Sequence, residues 1–381
     1  MKHHKYNQDF PFVSEPIEFN KFTDKSLLQY CLGATLYMPG TQNIVEKILQ
    51  KNVLEATSIV MDFEDAVDEN NVSAAESSVL RQLDKIAASL DAGVITHDEI
   101  PLIFLRVRHP EQFKGFVAKL TSKQTNVLSG FAFPKFSSSN CHEYFDCLES
   151  VNSRLAAMLY GMPILEGKTI AYKELRTAEL VKIKEMIEPY KDIILNIRIG
   201  GTDISSMFGV RRGIDYSIYD ILHVKDCLSD VLNFFSREED DYTISGPVWE
   251  YFLAHKEENL DNLLADNIHR SLLTRNPILN EAVDGLMREV ILDKANGFVG
   301  KTIIHPSHAK FVNAMQTVIR EEFEDALQIM ETPGGVVKSL KGNKMNEINP
   351  HKHWAKKVIS RAKAYGVIES EACYLKLILK Y

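Results

Sequence analysis

Three carboxylates fall within four residues at Asp62-Phe63-Glu64-Asp65, directly after the apolar, β-branched run from Thr57 to Met61. Crowded acids repel one another, and a bound cation relieves that repulsion. Other chemistry-bearing residues recur at the same kind of place, at the end of an apolar run. They are Pro39-Gly40, Arg106 and Arg108, Lys135, Glu166, Asp203 and His305. Oxygen donors from separate strands suit Mg2+, which takes one or two carboxylates and keeps positions for water and substrate oxygens. An arginine beside such a cation can take a substrate carboxylate in a two-pronged contact. Singly, each residue has a plainer reading: the acids as a solvated turn at a helix start, Arg106 as an inter-strand ion pair, Lys135 as a strand-end cation, Lys301 and His305 as structural groups. Together they describe a site for a small oxo- or carboxy-acid, and the residues alone leave open which carboxylates hold the cation.

Such residues meet only if the runs before them are neighbouring strands. Strand-like runs lie at 32–38, 57–61, 101–107, 127–133, 154–162, 193–199, 242–245 and 298–304, with helix-length sequence between them, as at 44–49, 74–90, 169–190 and 226–235. This alternation predicts a (β/α)8 TIM barrel, whose strand ends share one face. Thr41 is the expected cap of the helix through Ile44. The boundaries read as a lead-in over 1–30, a barrel over 31–315 with an insertion at about 210–273, and a C-terminal helical extension over 316–381. Helices are expected at 311–330, 351–365 and 369–379, and the tail reads as a lid or an oligomer arm.

Composition narrows the partners. The 381 residues are 45% hydrophobic and 25% charged, ordinary for a globular chain. With 44 basic against 52 acidic residues the formal charge is −8, which argues against non-specific binding to nucleic acid or anionic membrane. Residues 1–10 are polar and no apolar run approaches bilayer length, so a cytoplasmic location is expected. Five scattered cysteines without a CxxC pair point to reduced thiols rather than to a zinc site or a disulfide framework.

The ordered motifs resemble the citrate lyase beta subunit and malyl-CoA lyase branch of the HpcH/HpaI aldolase superfamily. Leu36-Tyr37-Met38-Pro39-Gly40 is similar to that family's first-strand LFVPG, Asp62-Phe63-Glu64-Asp65-Ala66-Val67 to its DLEDAV, Arg106-Val107 to its arginine strand, and Pro134-Lys135 to its PK step. Glu166 and Asp203 match its two magnesium carboxylates, and Gly297 to Pro306 is close to GFxGKxxIHP. The resemblance covers about residues 31 to 310. It implies a carbon–carbon bond lyase or aldolase that acts on an oxo-acid-derived substrate through a metal-stabilised enolate, with Mg2+, or Mn2+ in its place. Glu166 and Asp203 would ligate the metal, Glu64 and Asp65 would hold its waters, and Arg106 would neutralise the substrate carboxylate. Pro39, Gly40, Arg108 and Lys135 would line the substrate site. It also implies a homo-oligomer, trimer or hexamer, whose tail reaches a neighbour's site with Glu347 in place of the family's tail aspartate.

The chain departs from that pattern at Gly33-Ala34, where the family has Arg-Ser, at 68–76, where it has a Lys and an Arg, and at Arg108, where it has Asn. Loss of basic groups at the first two places argues against a CoA thioester, and Arg108 adds a charge at the mouth. The stretch Ser245 to Glu250 is similar to the divergent C-C bond lyase branch associated with tellurite- and stress-resistance operons. A thioesterase or Claisen-type synthase on the same site is the alternative chemistry, and a non-catalytic metabolite-binding or regulatory barrel subunit is the alternative class.

Overall fold

A computed structural model describes residues 1–50, 55–252, 278–339, 342 and 344–379. Strands β1 (Ala34–Pro39), β2 (Ser58–Asp62), β3 (Leu102–Arg106), β4 (Leu128–Phe133), β5 (Tyr160–Leu165), β6 (Arg198–Ile199) and β7 (Lys301–Ile303) run parallel in the order β6-β5-β4-β3-β2-β1-β7. Residues 243–246 close the gap between β6 and β7. On one side Ile197 N–H donates to Thr243 O at 2.9 Å and Ser245 N–H to Ile197 O at 2.9 Å; on the other Gly246 N–H donates to Gly300 O at 3.1 Å and Thr302 N–H to Gly246 O at 3.2 Å. The sheet thus curls into the expected TIM barrel. The strand expected over 242–245 exists as bridges on both flanks rather than as a ladder, because Pro247 removes the next donor.

Several boundaries differ from the sequence reading for local reasons. The helix Cys141–Leu155 runs through Arg154 and buries Tyr144, Phe145, Leu148 and Val151 at helical spacing; Ala156 ends it in the left-handed conformation, so β5 starts only at Tyr160. Thr41 is not a cap: the helix is Val45–Leu49, with Ile44 at the cap position and Asn43 Oδ1 accepting from Val45 N–H at 3.0 Å. The helix expected over 311–330 is two, Ala309–Met315 and Arg320–Glu331, because Val318-Ile319 pairs with Val367-Ile368 between them. Residues 253–273 of the expected insertion lie outside the described residues.

Strand alternation builds two cores. Leu36, Ile59, Met61, Ile103, Leu105, Phe131 and Phe133 face the helices, while Val60, Phe104, Ala132, Met162 and Val299 fill the barrel interior. Gly300, at φ +71°, shifts the alternation in the last strand. Lys301 therefore turns out, toward Glu289 and Asp293, and Thr302 turns in, toward Arg198.

The lead-in and tail cover the strand-start end. Val13 N–H donates to Val367 O at 2.8 Å and Ile17 N–H to Lys363 O at 2.9 Å, and Tyr365 joins Phe19, Leu32, Leu102 and Tyr160 in the inner cluster. The tail helices Arg320–Glu331 and Ile348–Tyr365 pack through Ala326, Ile329, Ala355, Val358 and Ala362. The described tail therefore packs on the lead-in at the strand-start end. Among the described residues no helix is long and apolar enough to cross a membrane.

Candidate active site

At the strand C-terminal ends a cleft of about 430 Å³ opens, and Tyr37, Pro39, Asp62, Asp65, Arg106, Glu166, Arg198, Gly200, Asp203 and Thr302 line it. Parallel register puts Asp62 directly beside Arg106, the last residues of β2 and β3. Arg106 holds Asp62 with both prongs, Nε to Oδ1 at 2.7 Å and Nη2 to Oδ2 at 2.6 Å. The buried Asp62 carboxylate also accepts from Glu64 N–H at 2.9 Å and Ala66 N–H at 3.0 Å, which shapes the acidic turn. Arg106 Nη1 lies 2.8 Å from Glu64 Oε2, an ion pair off the hydrogen-bond line, and 3.3 Å from the exposed Asp65. Asp62, read from the sequence only as one of the three crowded acids, is thus the main partner of Arg106.

Lys135 links this turn to β5. It is a non-glycine residue at φ +47°, a conformation that costs roughly 1 kcal/mol. That bend aims its N–H at Glu166 Oε1, 2.9 Å away, and its ammonium donates to Glu64 Oε1. Glu166 is buried, and its Oε2 packs against Gly200, where a side chain would not fit: a Cβ there would lie 2.1 Å from Oε2. Burial, and then the nearby Asp203, pushes the Glu166 carboxyl up to about 8. Asp203, in the first turn of the helix Gly201–Met207, is raised as well, by burial first and then by Asp65.

Other expected site residues do different work. Gly40 donates its N–H to Asp62 O at 2.9 Å and packs on the Phe63 ring, which fixes the strand end. Arg108 spends its guanidinium on the carbonyls of Phe63, Glu64 and Val67 at 3.0, 3.3 and 3.1 Å and does not line the cleft. Glu347 is exposed at the end of a hairpin, Val336–Lys338 with Met345–Glu347, and is not brought to the cleft of its own chain. His305 caps the next turn, accepting from Ser307 N–H at 3.3 Å, and stacks on Phe252 at 4.5 Å.

A family model, the C-C bond lyase of the TIM-barrel fold, matches residues 26–367. The chain belongs to this family. It is accordingly a carbon–carbon lyase, and the barrel expected from the sequence is the family's fold. Among solved structures, CitE from Mycobacterium tuberculosis in complex with magnesium, acetoacetate and coenzyme A is 16% identical, with TM-score 0.51 over 88% of this chain and 99% of that chain. RipC from Yersinia pestis is 13% identical, with TM-score 0.46 over 75% and 95%. The citrate lyase beta subunit from M. tuberculosis complexed with oxaloacetate and magnesium is 17% identical, with TM-score 0.45 over 76% and 96%. No curated protein matches the sequence.

Among the lining residues of this C-C bond lyase, Tyr37, Arg198 and Thr302 had no role assigned from the sequence. Strand alternation points Tyr37 inward with Pro39, and both guanidiniums, of Arg106 and Arg198, lie 5.5 Å from its ring. Burial raises the phenol's pKa against the pull of Arg198 and Arg106, so it keeps its proton at neutral pH. The signal for Arg198 was a lone charge inside the apolar run 193–199.

The donor set fits a divalent cation. Arg106, Lys135 and Arg198 supply three positive charges against five carboxylates, Asp62, Glu64, Asp65, Glu166 and Asp203, a formal surplus of two negative charges. Glu166 Oε2 takes no hydrogen bond from a described residue. Among the described residues no group of three His, Cys, Asp or Glu converges into a complete metal cage. Two carboxylates with room for water and substrate oxygens are what Mg2+ uses.

Proposed function

We infer that this C-C bond lyase uses Mg2+ to cleave, or form, a carbon–carbon bond next to the oxo group of a small α-oxo-acid-derived substrate. The observation that carries the reading is the Glu166–Asp203 pair: two carboxyls, both pushed toward neutrality by burial and acidic neighbours, at one wall of the family's cleft. These two would hold the cation, with Asp65 and Glu64 near enough to order its waters. When bound, it supplies positive charge where cleavage leaves negative charge on the substrate's oxo oxygen.

The chain's own residues do the rest. Lys135 fixes Glu166 through its N–H and Glu64 through its ammonium, so the acid wall is set before a ligand arrives. Arg106, locked by Asp62, presents a fixed positive edge to the cleft. Tyr37 Oη, protonated and lining the cleft, can donate a hydrogen bond to a substrate oxygen. Val248, Ile304 and Ile199 give the mouth an apolar side that limits water near the reacting carbons.

Calorimetric titration of the full chain tests the metal site. Mg2+ or Mn2+ should bind, and Glu166→Gln with Asp203→Asn should abolish binding; absence of binding to the parent, or its survival in the double variant, refutes the assignment. Release of pyruvate or another oxo acid from 4-hydroxy-2-oxo acids with Mg2+, and its loss in the same variant, tests the lyase activity.

A further inference from the structure

We propose that Arg198, rather than Arg106, is the receptor for the substrate's carboxylate, which enters the barrel carboxylate-first. The inference rests on the proposed function and adds the orientation and size of the ligand.

The two arginines that face the cleft differ in how their charge is spent. Arg106 is saturated on its acid side, gripped by Asp62 and flanked by Glu64 and Asp65. Arg198 is 1% exposed and has no carboxylate partner among the described residues. Its Nη2 donates to Thr302 Oγ1 at 2.6 Å, Nη1 makes only long contacts to Ser245 Oγ at 3.4 Å and Thr35 Oγ1 at 3.5 Å, and Nε is buried without an acceptor. A buried guanidinium is retained only with a compensating anion or a full set of acceptors, and three neutral hydroxyls do not cancel its charge. Because Arg198 lines the cleft, a ligand anion can complete it.

Register fixes its depth. Arg198 pairs with Ile164 on β5, two residues before Glu166, so the guanidinium springs from a layer below the acid wall. Val60, Phe104 and Met162 fill the interior with apolar side chains. A carboxylate on Arg198 therefore has polar partners in Thr35, Ser245 and Thr302 but little space beyond it. The neighbouring oxo oxygen would then point up, toward Glu166 and Asp203. This geometry selects a short acid whose carboxylate adjoins the oxo carbon, and it leaves any longer or conjugated part of the substrate at the mouth. The planar, two-pronged demand is one that arginine meets and lysine does not.

Calorimetric titration of the full chain with Mg2+, and then with pyruvate in saturating Mg2+, tests this. Arg198→Met should bind Mg2+ within about threefold of the parent and lose pyruvate affinity by about ten- to a hundredfold, the range that a lost pair of charge-assisted hydrogen bonds produces. Arg198→Lys, which keeps the buried charge and guards against a folding defect, should keep Mg2+ binding and recover only part of the pyruvate affinity. Unchanged pyruvate affinity in a folded Arg198→Met or Arg198→Lys protein overturns this inference alone. A parent protein that binds no Mg2+ overturns the proposed function and this inference with it.

Discussion

Glycine at position 200 is a requirement of the acid opposite it. Glu166 occupies the volume where a side chain would stand, with its own Cβ 2.6 Å and its Oε2 2.1 Å from an added methyl at Gly200. Gly200→Ala is therefore expected to displace Glu166 and to lower Mg2+ affinity at least tenfold, about 1.4 kcal/mol. Overpacking of this kind typically costs a further 1 to 3 kcal/mol or so of stability. Titration with Mg2+ measures the first and urea unfolding the second; unchanged Mg2+ affinity would exclude Glu166 as a ligand. The strained Lys135 follows the same logic, since its backbone bend serves two acids at once.

Between elements, one buried charge network holds the segment that closes the barrel. Lys301 of β7, fully buried, reaches Asp293 at 2.8 Å and Glu289 at 3.1 Å on the helix Glu281–Ala295. Arg212 pairs with Glu289, donates to Val248 O at 2.8 Å and lies 4.7 Å from the Trp249 ring, while Tyr219 donates to Asp293 at 2.6 Å. Gly246 approaches Asp293 so closely that a Cβ would lie 2.5 Å from Oδ2. The network thus sets Gly246, which bridges to β7, and Val248, which lines the cleft. Lys301→Met leaves the buried Asp293 without a cation, while Glu289 keeps Arg212, and is expected to cost about 3–5 kcal/mol in urea unfolding. A loss under about 1 kcal/mol would mean that Asp293 finds another partner. This is the structural role expected for Lys301, though the motif around it gave no hint of which acids it serves.

For the whole molecule, the lead-in seals the strand-start end, and two neutral histidines take part. His3 stacks on Tyr365 at 4.5 Å and His4 makes a 3.1 Å hydrogen bond with the Tyr365 carbonyl. Burial lowers the pKa of both, that of His4 to about 3. The unfolded chain binds these protons near pH 6.5 and the folded chain does not. Their stability contribution is therefore fully present above pH 6.5 and is lost as pH falls toward 3, by up to about 1.4 kcal/mol per pH unit for each group. His4→Gln should flatten the decline in urea-unfolding free energy between pH 6.5 and 4; an unaltered slope would show that His4 titrates normally.

Much of this architecture was legible in the sequence because it depends on local pattern. Apolar, β-branched runs that stop at Pro39, Asp62, Arg106, Lys135 and Glu166 mark strand ends by hydrophobic periodicity alone, and a barrel carries all such ends to one face. The candidate acids Glu166 and Asp203 were found that way. The partners of each charge were not, because pairing depends on register and side-chain direction across strands far apart in sequence. Register set Asp62 against Arg106, and Arg108 turned back onto the loop carbonyls. The positive φ of Gly300 sent Lys301 outward and Thr302 inward. Only the closed barrel leaves Arg198 without an acid among the described residues, since that fact is the sum of every described neighbour it fails to meet.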